Sequence, residues 1–182
     1  SVAESSDTST QTSLDASSED ESKEESSQEE SKDLEANYTK YTLDGDLTQH
    51  MIDMSRLNEG NKVRLANVIK KLKNGEEVTV GFIGGSITQG TSAGNDLCYA
   101  KLTADWLQQT YSNAKINYVN AGIGATGSYI GVHRVANDLL SKNPDLVFVE
   151  FSVNDTTENT ERNKKSYDGL LRTIWKSSTN PA

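Results

Sequence analysis

The amino-acid sequence predicts an α/β protein, a three-layer α/β/α sandwich with a parallel sheet. Short apolar runs alternate with longer amphipathic stretches, which is typical of βαβ units. Each apolar run also ends in small or polar residues, as buried strands do where the chain turns towards a helix. Because ligands bind at the carboxyl ends of the strands in such sheets, any functional site is expected there.

Residues 1–36 are expected to stay outside the folded domain. They hold 12 of the 27 Asp and Glu residues but only two of the 18 Lys and Arg residues, so the net charge of −9 belongs to this segment. Eleven serines and no aromatic residue leave too little apolar surface to offset the entropy of ordering. We expect a disordered acidic Ser/Glu-rich linker, then a lead-in segment over residues 37–59 and the domain over residues 60–182.

The domain begins with an amphipathic helix. Its apolar face is formed by Leu65, Val68, Ile69 and Leu72, and Asn74 and Gly75 supply a stop. The later elements, in order, are predicted as a strand over 78–84, a helix over 96–111, a strand over 115–121, a helix over 128–143, a strand over 145–152 and a helix over 163–175.

Composition excludes several classes of function. No run of 18 apolar residues exists, so no membrane-spanning segment is predicted. No basic stripe with interleaved aromatic residues is present, which argues against a nucleic-acid partner. Two His and one Cys cannot build a zinc-type cluster, although a metal site built only from carboxylates stays open. Cys98 is expected to be a small buried core residue.

The first residue is Ser rather than Met, and no signal peptide is present. Together with the Ser/Glu-rich linker, this indicates a protein that is exported, so we expect an extracellular or bacterial cell-surface location. The sequence does not indicate an oligomeric state.

Three loops follow the predicted strands and should meet at one edge of the sheet. They begin at Gly84-Gly85-Ser86, at Asn120-Ala121-Gly122 and at Ser152-Val153-Asn154-Asp155. One interpretation of the first loop is a phosphate-binding turn, since Gly85 and Gly90 have the required spacing. Thr91 stands where that motif needs a lysine, which argues against a nucleoside triphosphate.

A second interpretation is a dinucleotide-binding domain. Gly122, Gly124 and Gly127 form the fingerprint spacing between a strand and a helix, and Glu150 ends the next strand near the place of a ribose-binding carboxylate. This alternative leaves the loops at Ser86 and Asn154 without a role.

A third interpretation uses all three loops. Ser86 follows two glycines, so a substrate carbonyl could approach its hydroxyl closely. The N–H of Ser86, an N–H of the second loop and the Asn154 amide could then stabilise an oxyanion. From position alone, Ser86 could equally cap the following turn, and a noncatalytic glycan-binding module stays open.

Three stretches resemble sequence blocks of one hydrolase family. "GGSIT" (84–88), "NAGIGATGS" (120–128) and "VEFSVND" (149–155) are similar to the first three blocks of the SGNH (GDSL-like) hydrolases, particularly their carbohydrate-esterase-like branch. The resemblance, over roughly residues 60–155, implies a flavodoxin-like fold and a serine esterase that deacetylates a carbohydrate through an acyl-enzyme. It implies Ser86 as nucleophile and an oxyanion hole at Ser86, Gly124, Ala125 and Asn154.

The resemblance also implies that the partner is a small ester or acetylated carbohydrate and that neither a metal nor an organic cofactor is needed. Two departures from the family pattern are small. Ala125 stands where many members have the oxyanion glycine, and Ser152 stands where the third block often begins with glycine.

The third departure concerns the catalytic base, which the family keeps in a late Asp-x-x-His block. This chain has only His50 and His133, and Leu47 and Ile130 precede them by three residues. His133 is expected to pack on the inward face of its helix. We therefore expect a fold that is incomplete at the C-terminus and a polypeptide that is inactive alone.

Overall fold

The computed structural model describes residues 49–155 and 159–182. The predicted linker over residues 1–36 lies outside these described residues. The described residues divide into two units, with the division after Arg56. In the first unit, helix α1 covers Gln49–Ser55 and lies within the predicted lead-in segment.

The second unit contains an α/β sandwich around a parallel sheet. Its elements, in chain order, are α2 (Val63–Lys73), β1 (Glu77–Gly84), α3 (Ser86–Gln89), α4 (Tyr99–Thr110), β2 (Lys115–Gly122), α5 (Ser128–Asp138), a 3-10 turn (Leu140–Lys142), β3 (Leu146–Glu150) and α6 (Thr160–Trp175). β1 pairs in parallel with β2 on one side and with β3 on the other. The predicted α/β class with a parallel sheet is confirmed.

Two apolar clusters cover the two faces of the sheet. Because successive strand residues point to opposite faces, Val80 and Phe82 share one cluster with residues of α2 and α4, whereas Ile83 joins α5 and α6 in the other. The Phe82 ring stacks on Phe148 with centroids 4.8 Å apart. The predicted three layers are present, and Cys98 is buried in the first cluster as expected.

Helix α2 has the apolar face that the sequence predicts. Val68 and Leu72 are buried, and Leu65 and Ile69 are half-buried. Gly75 follows the helix with φ of 75°, a left-handed conformation that glycine adopts without strain. Hydrophobic spacing and a terminal glycine were sufficient to place this element.

Several element boundaries differ from the prediction. The helix predicted over 96–111 covers Tyr99–Thr110, and the strand predicted over 145–152 covers Leu146–Glu150. The four-residue helix α3 was not predicted, and it ends at Gly90, which is left-handed with φ of 89°. The helix predicted over 128–143 ends at Asp138 and is followed by a 3-10 turn that Asn143 closes with φ of 52°. Helix α6 begins at Thr160, three residues earlier than expected.

Candidate active site

The three predicted loops do meet at one edge of the sheet. In the strand register, Gly84 at the end of β1 lies beside Gly122 of β2 and beside Glu150 of β3. The first residues of all three loops are therefore at the same level of the sheet. This arrangement follows from the parallel pairing, because all strands present their carboxyl ends on one side.

Ser86 is the first residue of α3 and is half-buried. The N-cap position is Gly85, and no side chain caps this helix, so the Ser86 hydroxyl does not serve as the cap. A Cβ atom on Gly84 would overlap Thr88 Oγ1 and the Glu150 carbonyl oxygen. The chain can reach Ser86 along this path only with glycine at position 84.

The third loop places Asn154 next to the nucleophile loop. A Cβ atom built on Gly85 would overlap Asn154 Oδ1, so the Asn154 amide lies directly against the residue that precedes Ser86. The backbone N–H of Asn154 donates to the Phe151 carbonyl at 3.1 Å, which keeps the loop tightly turned. Ser86 and Asn154 therefore lie on the same flank of the sheet edge.

The second loop also approaches Ser86. A Cβ atom on Gly124 would lie 3.9 Å from Ser86 Cβ. The Gly124 N–H donates to Gln89 Oε1 at 2.6 Å, so the last residue of α3 holds the loop in place. Ala125 is exposed and left-handed, with φ of 58°. All four residues predicted for nucleophile and oxyanion hole lie in loops that converge here, but the Gly124 N–H already has an acceptor.

A partly buried polar network packs against α3. Thr88 is fully buried, and its Oγ1 lies 3.0 Å from Tyr99 Oη and 3.5 Å from Glu150 Oε2. Asn120 Nδ2 donates to the Thr88 carbonyl at 2.8 Å. Burial raises the pKa of Tyr99, so its phenol stays protonated at neutral pH. Sequence reasoning missed Thr88 as a supporting residue, although it lies in the same short motif as Ser86.

Asp155 links the third loop to the N-terminus of α5. Its Oδ1 accepts the backbone N–H of Ser128, the first residue of α5, at 2.9 Å. A carboxylate at a helix N-terminus is stabilised by the partial positive charge there. A dinucleotide pyrophosphate would need this position, and the other required group, Glu150, accepts two hydrogen bonds from Ser152 instead. Both contacts argue against the dinucleotide alternative.

The prediction for His133 is wrong. His133 is exposed on α5, and the buried residues of that helix are Ser128, Gly131 and Val135. A Cβ atom on Gly131 would lie 2.6 Å from Phe151 Cζ, so the inward face is defined partly by a residue that has no side chain. Hydrophobic periodicity could not detect a face of this composition.

Neither histidine is hydrogen-bonded to Ser86 among residues 49–155 and 159–182. His50 lies in the first compact unit and His133 is exposed. In the same part of the chain, no cluster of His, Cys, Asp or Glu could hold a metal ion. None of the helices described there is long and apolar enough to cross a membrane.

A cavity of about 460 Å³ is lined by the end of β3, the third loop and α6. Its lining includes Ser152, Asp155 and Tyr167, but not Ser86. Burial raises the pKa of Tyr167, and the Asp155 carboxylate contributes in the same direction. This cavity is therefore not the space in front of the Ser86 hydroxyl.

Comparison with known proteins gives consistent results. A model of the GDSL-like lipase/acylhydrolase family matches residues 82–181. The chain is similar to a solved two-domain esterase (CEX) active on acetylated mannans, with 46% identity, a TM-score of 0.66 and coverage of 69% of this chain and 33% of that chain. The same esterase co-crystallized with mannopentaose matches with the same identity and TM-score and 34% coverage of that chain.

An acetyl xylan esterase, AlAXEase, is 29% identical with a TM-score of 0.48, and the match covers 55% of this chain and 54% of that chain. No curated protein matches this chain at a significant level. The chain spans about one third of the length of the mannan esterase that it matches.

Proposed function

This chain belongs to the GDSL-like lipase/acylhydrolase family, and from that premise we propose that it carries the nucleophile and the oxyanion hole of a serine esterase. The observation that carries the proposal is the convergence of three loops on Ser86. Asn154 lies against Gly85, and Gly124 approaches the Ser86 side chain. A hydroxyl and several hydrogen-bond donors at one strand edge are what acyl transfer requires.

In the proposed reaction, Ser86 Oγ attacks the carbonyl carbon of an ester while its proton passes to a general base. The carbonyl oxygen becomes an oxyanion in the tetrahedral intermediate. When the intermediate collapses, the bond to the alcohol breaks and the base returns its proton to the leaving oxygen. A water molecule, deprotonated by the same base, then attacks the acyl-enzyme and releases the carboxylic acid and Ser86.

We assign the oxyanion donors to the N–H of Ser86, the N–H of Ala125 and the Asn154 side-chain amide. The Gly124 N–H is held by Gln89 Oε1 at 2.6 Å, which supports a role for Gly124 in positioning the loop. Ala125 contributes only its backbone, and its left-handed φ of 58° is one that alanine adopts at a small cost. Each such donor is typically worth about 10²-fold to 10³-fold in kcat.

The proposed mechanism needs a general base, and these 182 residues contain no Asp-x-x-His sequence. His133 is exposed on α5 and makes no hydrogen bond to Ser86 in the described part of the chain. We therefore propose that the base comes from residues outside this sequence and that the 182 residues do not turn over esters alone. Activity tests of this proposal accordingly use the complete gene product.

The proposed substrate is an acetylated carbohydrate. The support is the 46% identity to an esterase active on acetylated mannans, over 69% of this chain. The match covers the nucleophile loop but only 33% of that enzyme. We therefore propose acetylated carbohydrates as the substrate class and name no particular sugar. An exported enzyme at the cell surface would meet such polymers, and the proposed chemistry requires no metal or organic cofactor.

The test is hydrolysis of 4-nitrophenyl acetate and of an acetylated mannan by the complete gene product. Ser86→Ala is expected to lower kcat/KM by about 10³-fold or more, because it removes the attacking oxygen. Ser92→Ala is the matched control, since Ser92 is exposed six residues further along, and it should change the rate less than about twofold.

Full activity in Ser86→Ala would refute the assignment of the nucleophile. Glycan binding without any hydrolysis by the wild-type gene product would favour a noncatalytic module. A rise in thermal stability with NAD(P) would instead favour the dinucleotide alternative, because a ligand stabilises the state that binds it.

A further inference from the structure

We propose that Arg134 is a positioning residue that fixes the distance between Ser86 and the second loop. This inference rests on the proposed esterase function. Arg134 lies in the middle of α5, and its side chain is only 11% exposed. It was not among the residues that the sequence singled out, because it belongs to none of the three loops.

One guanidinium group joins the carboxyl ends of two strands. Arg134 Nη2 donates to the Gly84 carbonyl at 3.0 Å, and Nη1 donates to the Ala121 carbonyl at 2.5 Å. Gly84 is the last residue of β1, and Ala121 is the last but one of β2. Because the guanidinium is planar and its donors have a fixed spacing, it sets the separation of these two carbonyl groups.

Both carbonyls lie directly upstream of the proposed catalytic groups. Gly84 precedes Ser86 by two residues, and Ala121 precedes Ala125 by four. The Gly84 carbonyl also accepts the N–H of Ile123 at 3.1 Å, so Arg134 and the second loop share one acceptor. A shift of Arg134 would therefore move the attacking hydroxyl relative to the proposed oxyanion donor.

The burial of Arg134 is difficult to explain by stability alone. Its charged partner is Asp138, 3.1 Å away and 36% exposed. Its Nε is buried and has no hydrogen-bond partner among the described residues. Taking a guanidinium out of water is expensive, and pairing with a carboxylate that is itself exposed to solvent offsets little of that cost. A role in fixing the positions of the Gly84 and Ala121 carbonyls explains why the Arg134 guanidinium is placed here.

The test is Arg134→Lys in the complete gene product. Lysine keeps the positive charge and can still pair with Asp138, but a single ammonium group does not reproduce the fixed fork that spans both carbonyls. A displacement of about 1 Å between reacting groups can cost about 10²-fold in rate. We expect kcat on 4-nitrophenyl acetate to fall about 10-fold to 100-fold, with KM changed less than about threefold because the groups that contact substrate remain.

Arg172→Lys is the matched control. Arg172 Nε donates to Asp168 Oδ2 at 2.7 Å on the exposed side of α6, four residues apart like the pair of Arg134 and Asp138. Its kcat should stay within about twofold of the wild-type value. A lowered melting temperature in Arg134→Lys with unchanged kcat per folded molecule would overturn the proposal and leave Arg134 a structural residue.

Hydrogen exchange gives a readout that does not depend on activity. In Arg134→Lys, the Ile123 N–H, which donates to Gly84, should exchange faster than in the wild type. The Asp145 N–H, which donates to the Thr79 carbonyl at 2.8 Å at the opposite end of the sheet, should not change. Equal acceleration at both amides, or at neither, would overturn the positioning role. A wild-type protein that hydrolyses no ester would refute the proposed function, whereas this exchange comparison would still decide the role of Arg134.

Discussion

The two ends of the parallel sheet are stabilised by different kinds of contact. At the amino end, Asp145 accepts hydrogen bonds from Lys71 Nζ at 2.7 Å and from the Thr79 N–H at 2.8 Å. The exposed pair of Lys115 and Glu77 adds a further ionic contact across β1 and β2. At this end, each contact involves at least one charged side chain that connects neighbouring segments of the chain.

At the carboxyl end, side chains such as Arg134 and Asn120 also make contacts, but there the backbone segments themselves approach each other closely. A Cβ atom on Gly122 would overlap the Gln89 N–H nitrogen, and one on Gly84 would overlap the Glu150 carbonyl oxygen. The amino end can therefore lose a contact and keep its shape. The carboxyl end cannot accept one additional carbon atom, and the candidate active site is built at that end.

Gly84→Ala should have the largest effect of the stability variants. The new methyl group would overlap both the Glu150 carbonyl and Thr88, and the backbone can yield only by moving the residues before Ser86. We expect a loss of about 3 kcal/mol or more in the free energy of unfolding, as severe overpacking produces. Denaturant unfolding measures this loss directly.

Gly169→Ala is the control for the same chemical change. Gly169 lies within α6, and its added methyl group would meet Val132 Cγ2 at an ordinary 3.5 Å. Alanine is the better helix former, so this variant should be as stable as the wild type or up to about 1 kcal/mol more stable. Equal stability of the two alanine variants would contradict the claim that packing closes the carboxyl end.

Asp145→Ala should have an intermediate effect at the amino end. It removes the partner of Lys71 and leaves the Thr79 N–H without its carboxylate acceptor. An unsatisfied half-buried donor costs about 1 to 3 kcal/mol. Unfolding experiments on this variant should show that loss.

Asp105→Ala removes an ion pair with Lys101 on α4. Because the Asp105 carboxylate is 43% exposed, the variant should lose about 0.5 kcal/mol or less in the free energy of unfolding.

If Asp145→Ala destabilised the protein as much as Gly84→Ala, the two ends of the sheet would respond alike. In that case the contrast between side-chain and backbone contacts would fail.

The parts of the molecule that periodicity describes were predictable from the sequence. The helix at Val68 and Leu72 and the strand that ends at Gly84 depend on apolar spacing and a glycine stop, both of which are local properties. The meeting of the three loops also followed, since parallel strands must present their carboxyl ends together. The fold class needed no further information.

The supporting residues were not predictable by the same reasoning. Arg134 and Thr88 act through contacts with residues 50 and 62 positions away, to Gly84 and to Glu150, and no local pattern records such pairs. His133 was misplaced because the inward face of α5 includes Gly131, where the Phe151 ring occupies the space of a side chain. Sequence patterns show which side chains are apolar. Here the contact with Phe151 depends on Gly131 having no side chain, which such patterns do not show.

Glu77→Gln should have the smallest effect. Glu77 Oε1 accepts hydrogen bonds from Asn117 Nδ2 at 2.6 Å and from Lys115 Nζ at 3.1 Å, but the pair of Lys115 and Glu77 is exposed to solvent and salt. At pH 7 in about 0.15 M salt we expect no detectable change in melting temperature, because exposed pairs contribute little. A decrease as large as that of Asp145→Ala would show that exposed contacts also hold the amino end.

The pH dependence of Glu77→Gln makes this prediction sharper. The hydrogen bond from Asn117, and then the one from Lys115, hold the pKa of Glu77 below its ordinary value. Any stability that the carboxylate contributes is therefore present above that ordinary pKa and is lost as the pH falls through the lower pKa of the folded state. Melting curves at low salt should show the small difference between wild type and variant at pH 7 disappearing as the pH falls through the lowered pKa of Glu77. A difference that grows on acidification would mean that protonated Glu77 makes the stabilising contact.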